Sequence, residues 1–327
     1  MSSLSHNDTP KKVTIYDLAR FTGFSPGTVS RVLNNRDKVK PETREKILNA
    51  ARELDLKPQV AVRARQVAIV TEPTYTDRIE GYAATLTAHL AFAFSRRGIG
   101  VVLPSDPVEL LPSLFLDGIV AVTLDSSLVD LMTRMEGRLP VVYMDRFDLP
   151  EGKLRVCSDH YRSGWIAAEH FVARGKKAPA FFGGEGQAFA ERLRGFREAL
   201  AAHGRTPDDR LLVQAAPGTH QAVVTRLVRS GADAIFVPGT SYQAMECLHL
   251  LTYVMGLRVP EDVSLIGGEN EGVSALQCPP LTTIEEPLRE MAEKAVDLMD
   301  AATSEGPGPA EKSAILPVRL IERNSVT

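Results

Sequence analysis

Cysteine is scarce in this chain and long apolar runs are absent. Its 327 residues hold three cysteines, Cys157, Cys247 and Cys278, widely spaced and without a C-x-x-C pair. That excludes a disulfide framework and argues against a structural zinc site; the three read as buried, inert thiols. No apolar stretch reaches the roughly 20 residues that a membrane helix needs. Met1 to Pro10 is polar and has no apolar segment of the secretory type, so it reads as a disordered leader and the protein as cytoplasmic. The patterns of catalysis are missing too. There is no Walker loop, H-E-x-x-H or G-x-S-x-G, and Gly184-x-Gly186 lacks a third glycine because Phe189 stands in its place. The seven histidines are scattered, and for His160 beside Asp159 a place in a cleft and a structural role are both open. The expectation is a protein without enzymatic activity, cofactor or metal.

Charge is present but unevenly placed. The whole chain carries a net charge of −3. Residues 1–65 hold 13 Lys/Arg against 7 Asp/Glu, leaving 25 against 34 for the rest. A basic head sits on an acidic body, the electrostatic signature of a phosphate-binding module joined to something that does not bind nucleic acid.

Within that head, Ser25-Pro26-Gly27-Thr28-Val29-Ser30-Arg31-Val32-Leu33-Asn34 reads as the second helix of a helix-turn-helix. Ser25 suits the N-cap, and Pro26 suits the first helical position, where its missing N–H costs nothing. Val29, Val32 and Leu33 form a buried stripe at i, i+3 and i+4. Thr28, Ser30, Arg31 and Asn34 face outward with groups fit for base edges and phosphates. Thr14 to Phe21 forms a preceding helix, and Gly23 allows the tight turn between the two. An ordinary surface hairpin would show the same geometry. A third helix, Pro41 to Leu54, with Ile47, Ala50, Ala51 and Leu54 on one face, favours a small three-helix domain.

From Val67 onward, short apolar runs such as Val67–Val70, Gly118–Val122, Val141–Met144 and Ala234–Val237 alternate with helical patterns, among them 78–97, 161–173, 191–203, 220–230, 242–255 and a stripe beginning at Leu288. Continuous apolar runs suit parallel strands covered on both faces. About ten strands over some 260 residues suggest two parallel sheets.

The chain resembles the LacI/GalR family of bacterial transcription regulators. In the head the resemblance rests on Val13–Ala19, Val29–Asn34 and Thr43–Ile47. In the body it rests on Asp117–Ile119, Pro140–Val142 with Met144–Arg146, Arg192 with Gly195–Phe196, Val259–Ser264 and Pro279–Ile284. It implies an all-α helix-turn-helix head over residues 1–57, a shortened hinge at 58–66, and a two-lobed α/β core over 67–327 like the periplasmic sugar-binding proteins. The first lobe would span about 67–157 plus 285–303, and the second about 158–284 plus 312–327. The resemblance further implies a homodimer on a pseudo-palindromic operator, with a small-molecule effector in the cleft between the lobes. Longer relatives tetramerise through a C-terminal tail, which is not expected of a chain stopping at Thr327.

DNA contacts are expected from Thr14, Tyr16, Ser25, Gly27, Thr28, Ser30, Arg31, Asn34, Arg63 and Arg65. Pro26 and Gly27 occupy the two positions where the family places variable base-reading side chains, which puts base readout on Arg31; phosphate pairing alone is the alternative. Asn34 and Thr14 read equally as caps or backbone contacts. The hinge Pro58-Gln59-Val60-Ala61-Val62-Arg63-Ala64-Arg65 puts Arg65 where the family has a leucine that wedges into the minor groove. An arginine there would hold the groove electrostatically and kink the DNA less.

Effector contacts are expected from Tyr75, Asp145, Asp159, Arg192, Thr240 and Glu269. For the two aspartates a structural role at strand ends is equally open. Gly268 stands where an aromatic usually precedes the acidic residue, and the segments 71–75 and 105–116 are short; both departures weaken the expectation of a standard sugar. The reading is a repressor modulated by a sugar or related polar metabolite. The alternatives are a regulator of the same fold whose cleft no longer senses a sugar, and a free binding protein without DNA function.

Overall fold

A computed structural model describes residues 14–33, 39–54, 65–71, 81–111, 114, 116–122, 125–137, 139–215, 218–239, 242–303 and 308–327. The chain divides into two compact units, Met1–Gln66 with Gly98–Gly100, and the remainder.

The first unit carries three helices, α1 (Ile15–Thr22), α2 (Pro26–Leu33) and α3 (Pro41–Glu53). Thr14 and Asp17 form a reciprocal capping box that starts α1, and Gly23 ends it in the left-handed conformation at φ 75°. Leu18, Val29, Val32, Leu33, Ile47 and Ala50 close one small core. Each comes from the stripe that its helical spacing assigns it.

The second unit begins with β1 (Gln66–Thr71), α4 (Gly81–Arg96), β2 (Gly100–Val102), α5 (Pro107–Leu110), β3 (Gly118–Val122), α6 (Ser126–Met135), β4 (Val141–Met144) and β5 (Leu154–Ser158). It continues with α7 (His160–Ala173), β6 (Pro179–Gly183), α8 (Gln187–Ala202), β7 (Leu212–Gln214), α9 (His220–Arg229), β8 (Ala234–Val237), α10 (Gln243–His249) and β9 (Ser264–Gly268). It closes with β10 (Thr282–Glu285), α11 (Leu288–Thr303), β11 (Ser313–Leu316) and β12 (Arg319–Ile321). Two six-stranded sheets result, in the orders β11-β5-β4-β3-β1-β2 and β12-β10-β9-β8-β6-β7. The recorded pairings are parallel except for β12 against β10. β3, β4, β6, β8 and β9 are buried along their whole length, as continuous apolar strands covered on both faces must be.

The chain passes from one sheet to the other after β5, after β10 and again between β11 and β12. The last passage corrects an expected boundary. Ser313–Leu316 pairs with β5 in the first sheet, and only the segment from β12 onward joins the second, so 312–316 belongs with the first lobe. β1 starts at Gln66, and the Arg65 carbonyl accepts from the Gly100 N–H at 2.7 Å.

The helix expected over 242–255 is α-helical only to His249 and then widens to a π turn over Leu250–Val254. The wider turn leaves the consecutive Leu250 and Leu251 both buried while Tyr253 and Val254 face solvent. β5 escaped sequence reading because Leu154-Arg155-Val156-Cys157-Ser158 is no continuous apolar run. Among the described residues, no helix is long and apolar enough to cross a membrane.

Candidate nucleic-acid interface and effector cleft

On α2 the buried stripe Val29, Val32 and Leu33 leaves Pro26, Gly27 and Arg31 exposed. Ser25 Oγ accepts from the Thr28 N–H at 3.1 Å and lies 2.9 Å from Thr28 Oγ1, so Ser25 caps the helix and Thr28 leans on the cap. Arg31 Nε donates to the Gly27 carbonyl at 3.2 Å. With no side chain at Gly27, the guanidinium lies back along a bare patch of helix. Thr14 Oγ1 donates to Asp17 Oδ2 at 2.6 Å, which makes Thr14 a cap. Tyr16 is 70% exposed on α1, and Ser30 is half-buried. Asn34 and Arg63 lie outside the described residues.

The second unit gathers its polar groups at the carboxyl ends of its parallel strands, the usual place for ligands in such sheets. Asp145 follows β4 and is buried at φ 49°, the single non-glycine residue at positive φ among those described. Its Oδ1 accepts from the Ser158 N–H at 2.8 Å and lies 3.2 Å from His160 Nε2. Burial opposes ionisation of this carboxyl, but His160, Tyr82 and the Ser158 N–H together hold it below its ordinary value. Tyr82, on the first turn of α4, is pushed well above its ordinary value by burial first and by Asp145 next, with Glu286 adding to the effect.

Across the second sheet Arg192, on α8, forms an ion pair with Glu286, which follows β10; their side chains are only 5% and 4% exposed. The Arg192 guanidinium also lies 5.2 Å from the centre of the Phe189 ring. His160 Nε2 and Tyr82 face the Asp145 carboxylate, and Arg192 Nε is buried without a hydrogen-bond partner. An unsatisfied buried polar atom such as Arg192 Nε is costly.

Of the expected effector residues, Asp145 is buried beside His160 and Ser158, and Arg192 is buried against Glu286. Glu269 is held by Arg323, Nη1 to Oε2 at 2.9 Å and Nη2 to Oε1 at 3.1 Å, and by the Thr283 hydroxyl. Its carboxylate ties β9, β10 and the C-terminal segment together. Asp159 accepts from the Arg162 N–H at 2.8 Å and caps α7. Gly268 has no room for the aromatic of other family members, because a Cβ there would run into the Gly239 backbone. Tyr75 and Thr240 lie outside the described residues. Sequence reasoning did not single out Tyr82, Glu286 or Arg323, and left His160 between a place in the cleft and a structural role. A buried charge beside an apolar strand end, as in Ile284-Glu285-Glu286, was the available signal.

Ser158 Oγ, 3.1 Å from His160 Nδ1, and Asp145 beyond it follow the order of a hydrolase triad. Ser158 is wholly buried, so no acyl carbon can reach its oxygen. The arrangement presents no accessible nucleophile.

Two family descriptions match the chain: bacterial regulatory proteins of the lacI family over residues 14–59, and the periplasmic binding protein-like domain over 168–326. The HTH-type transcriptional regulator DegA of Bacillus subtilis (strain 168) is 27% identical over 97% of this chain and 98% of its own length. The HTH-type transcriptional regulator CelR of Thermobifida fusca is 29% identical over 95% and 96%. A solved complex of the regulator CelR with cellobiose superposes with a TM-score of 0.70 at 28% identity, covering 96% of this chain and 99% of that one. The lac repressor dimer bound to operator and an anti-inducer has the same fold, with a TM-score of 0.73 at 22% identity over 97% and 100%. A three-helix head whose second helix presents an arginine, joined to a two-sheet core with a polar cluster at its strand ends, places this chain in the lacI family of bacterial regulatory proteins, as a DNA-binding transcriptional regulator and not an enzyme.

Proposed function

We propose that the protein is a cytoplasmic repressor that binds a pseudo-palindromic operator as a homodimer and changes its DNA affinity when a polar small molecule occupies the cleft. The observation that carries the DNA part is Arg31, exposed on α2 beside the bare patch at Gly27. An arginine that can extend from there reaches guanine O6 and N7 in the major groove, a contact worth roughly 1–3 kcal/mol of base discrimination. Dimerisation is supported by large apolar side chains that the second unit leaves exposed, Phe92 on α4, Tyr253 and Leu276. A two-fold dimer presents one head to each half-site. The cellobiose complex of a relative supports a carbohydrate-like effector, and the buried polar group of Asp145, His160 and Tyr82 after β4 supports its place. Ligand and DNA affinities are then coupled reciprocally.

The test is operator selection from random DNA, followed by binding of Arg31→Ala to single-base variants of the selected site. Loss of preference at one base pair in each half-site is expected. A uniform loss across all variants would show that Arg31 meets phosphate alone.

A second reading, a regulator that senses no small molecule, is favoured by the internal pairing of Arg192 with Glu286 and of Glu269 with Arg323. Under it, thermal unfolding would respond to no member of a sugar, nucleoside and polyol panel.

A further inference from the structure

Arg97 follows the last residue of α4 and ties that end of the helix to α11. Its Nη1 donates to Asp300 Oδ2 at 2.6 Å and its Nη2 to Asp297 Oδ1 at 2.5 Å, so one planar guanidinium takes two carboxylates a turn apart on α11. The neighbouring Arg96 pairs with Glu293, one turn earlier on the same helix. Arg97 and Asp297 are 35% and 57% exposed, and ion pairs that meet water add little to stability. A fork on two carboxylates fixes a position better than it holds a fold.

The position that it fixes is the start of β2. Directly after Arg97 the chain turns at Gly98, φ 69°, a conformation that glycine adopts without strain, and Ile99 is buried. Gly100 then donates its N–H to the Arg65 carbonyl at 2.7 Å. Two residues separate Arg97 from Gly100, which limits the distance between their Cα atoms to about 11 Å. The residue in front of β1 is thus bonded to a short turn whose other end is clamped to α11.

We propose that Arg97 is a positioning residue for operator binding. Held by Asp297 and Asp300, it sets the turn 98–100 and, through the Gly100 bond, the placement of Arg65 on DNA. The inference rests on the reading of Arg65 as an operator contact, and it gives two carboxylates of α11 a part in DNA affinity without a contact of their own. Its consequence runs against charge. Removing two carboxylates from a DNA-binding protein reduces the repulsion of phosphate and by itself strengthens binding. Losing the clamp weakens it.

The experiment uses the full-length protein and its selected operator, with the variants Asp297→Asn/Asp300→Asn, Arg97→Ala and Arg65→Ala, and each of the first two combined with Arg65→Ala. Operator affinity is measured over a salt series, and thermal unfolding without DNA identifies the variants that are folded. Asp297→Asn/Asp300→Asn is expected to bind roughly threefold to tenfold more weakly than wild type, the size of coupling found within one network. Its salt slope is expected to fall as that of Arg65→Ala does. Added to Arg65→Ala, the same two changes are expected to cause no further loss. Arg97→Ala is expected to follow the same cycle, and decides the matter if the carboxamide pair does not fold.

Unchanged or tighter operator binding by folded Asp297→Asn/Asp300→Asn overturns the inference, because charge alone then accounts for the result. An equal loss with and without the Arg65 side chain overturns it as well, since the clamp would then act on the fold at large. Failure of the Arg65 reading has a different signature: Arg65→Ala alone would bind operator as wild type does, and the inference would fall with it.

Discussion

Asp145 shows how one residue answers to its whole surroundings. It sits at φ 49°, a conformation that aspartate tolerates better than most side chains, and it is held ionised by His160, Tyr82 and the Ser158 N–H against the cost of burial. Its folded-state pKa lies below the ordinary value of 3.8, so its contribution to stability is complete above that value and is lost as pH falls through the folded one. Asp145→Asn should therefore melt below wild type at pH 7, with the gap narrowing as pH approaches 3; calorimetry across that range checks it. A gap that widens in acid would contradict the assigned direction. The cysteines give a second test at this scale. Burial pushes the Cys157 and Cys247 thiols up to about 12, while Cys278 is exposed. At pH 8 a thiol reagent should modify one cysteine of the native chain quickly and reach the other two only on unfolding.

At the scale of elements, the helices α7 and α8 meet through two glycines. A Cβ at Gly164 would collide with the Arg192 carbonyl, and one at Gly195 with the Tyr161 carbonyl. Backbone cannot yield as a side-chain tip can, so Gly195→Ala should cost on the order of 3 kcal/mol or more. It should also shift Arg192, whose carbonyl stands in the same contact. Denaturant unfolding measures the first effect, and weakened effector response at temperatures where the variant is folded measures the second.

The sequence announced Gly195-Phe196 as a motif, yet its steric reason appears only when two helices separated by a strand are brought together. The same limit runs through the cleft. The strands β3, β4, β8 and the stripes of α2 and α3 were legible because burial repeats at a local period. The pairs Arg192–Glu286 and Glu269–Arg323 were not, because their partners stand 94 and 54 residues apart. Nothing near Glu269 in sequence says that Arg323 holds it.

At the scale of the molecule, the division of charge decides how DNA is bound. With 13 basic against 7 acidic residues in positions 1–65 and 25 against 34 elsewhere, attraction to phosphate is confined to the head, and the body opposes loose association. Operator affinity should fall linearly in log–log form with salt, by about 0.9 per phosphate neutralised. If six or more phosphates are met, that is a loss of roughly 10³ between 50 and 200 mM salt. The two singular arginines should separate in this measurement. If Arg65, which precedes β1 directly, acts through charge in a narrow groove, Arg65→Ala should reduce the slope by about 1 per head and leave the ranking of operator variants unchanged. Arg31→Ala should instead flatten the preference at one base pair. Equal effects of the two substitutions on slope and ranking would mean that this head takes its specificity from the shape of the DNA instead of from Arg31.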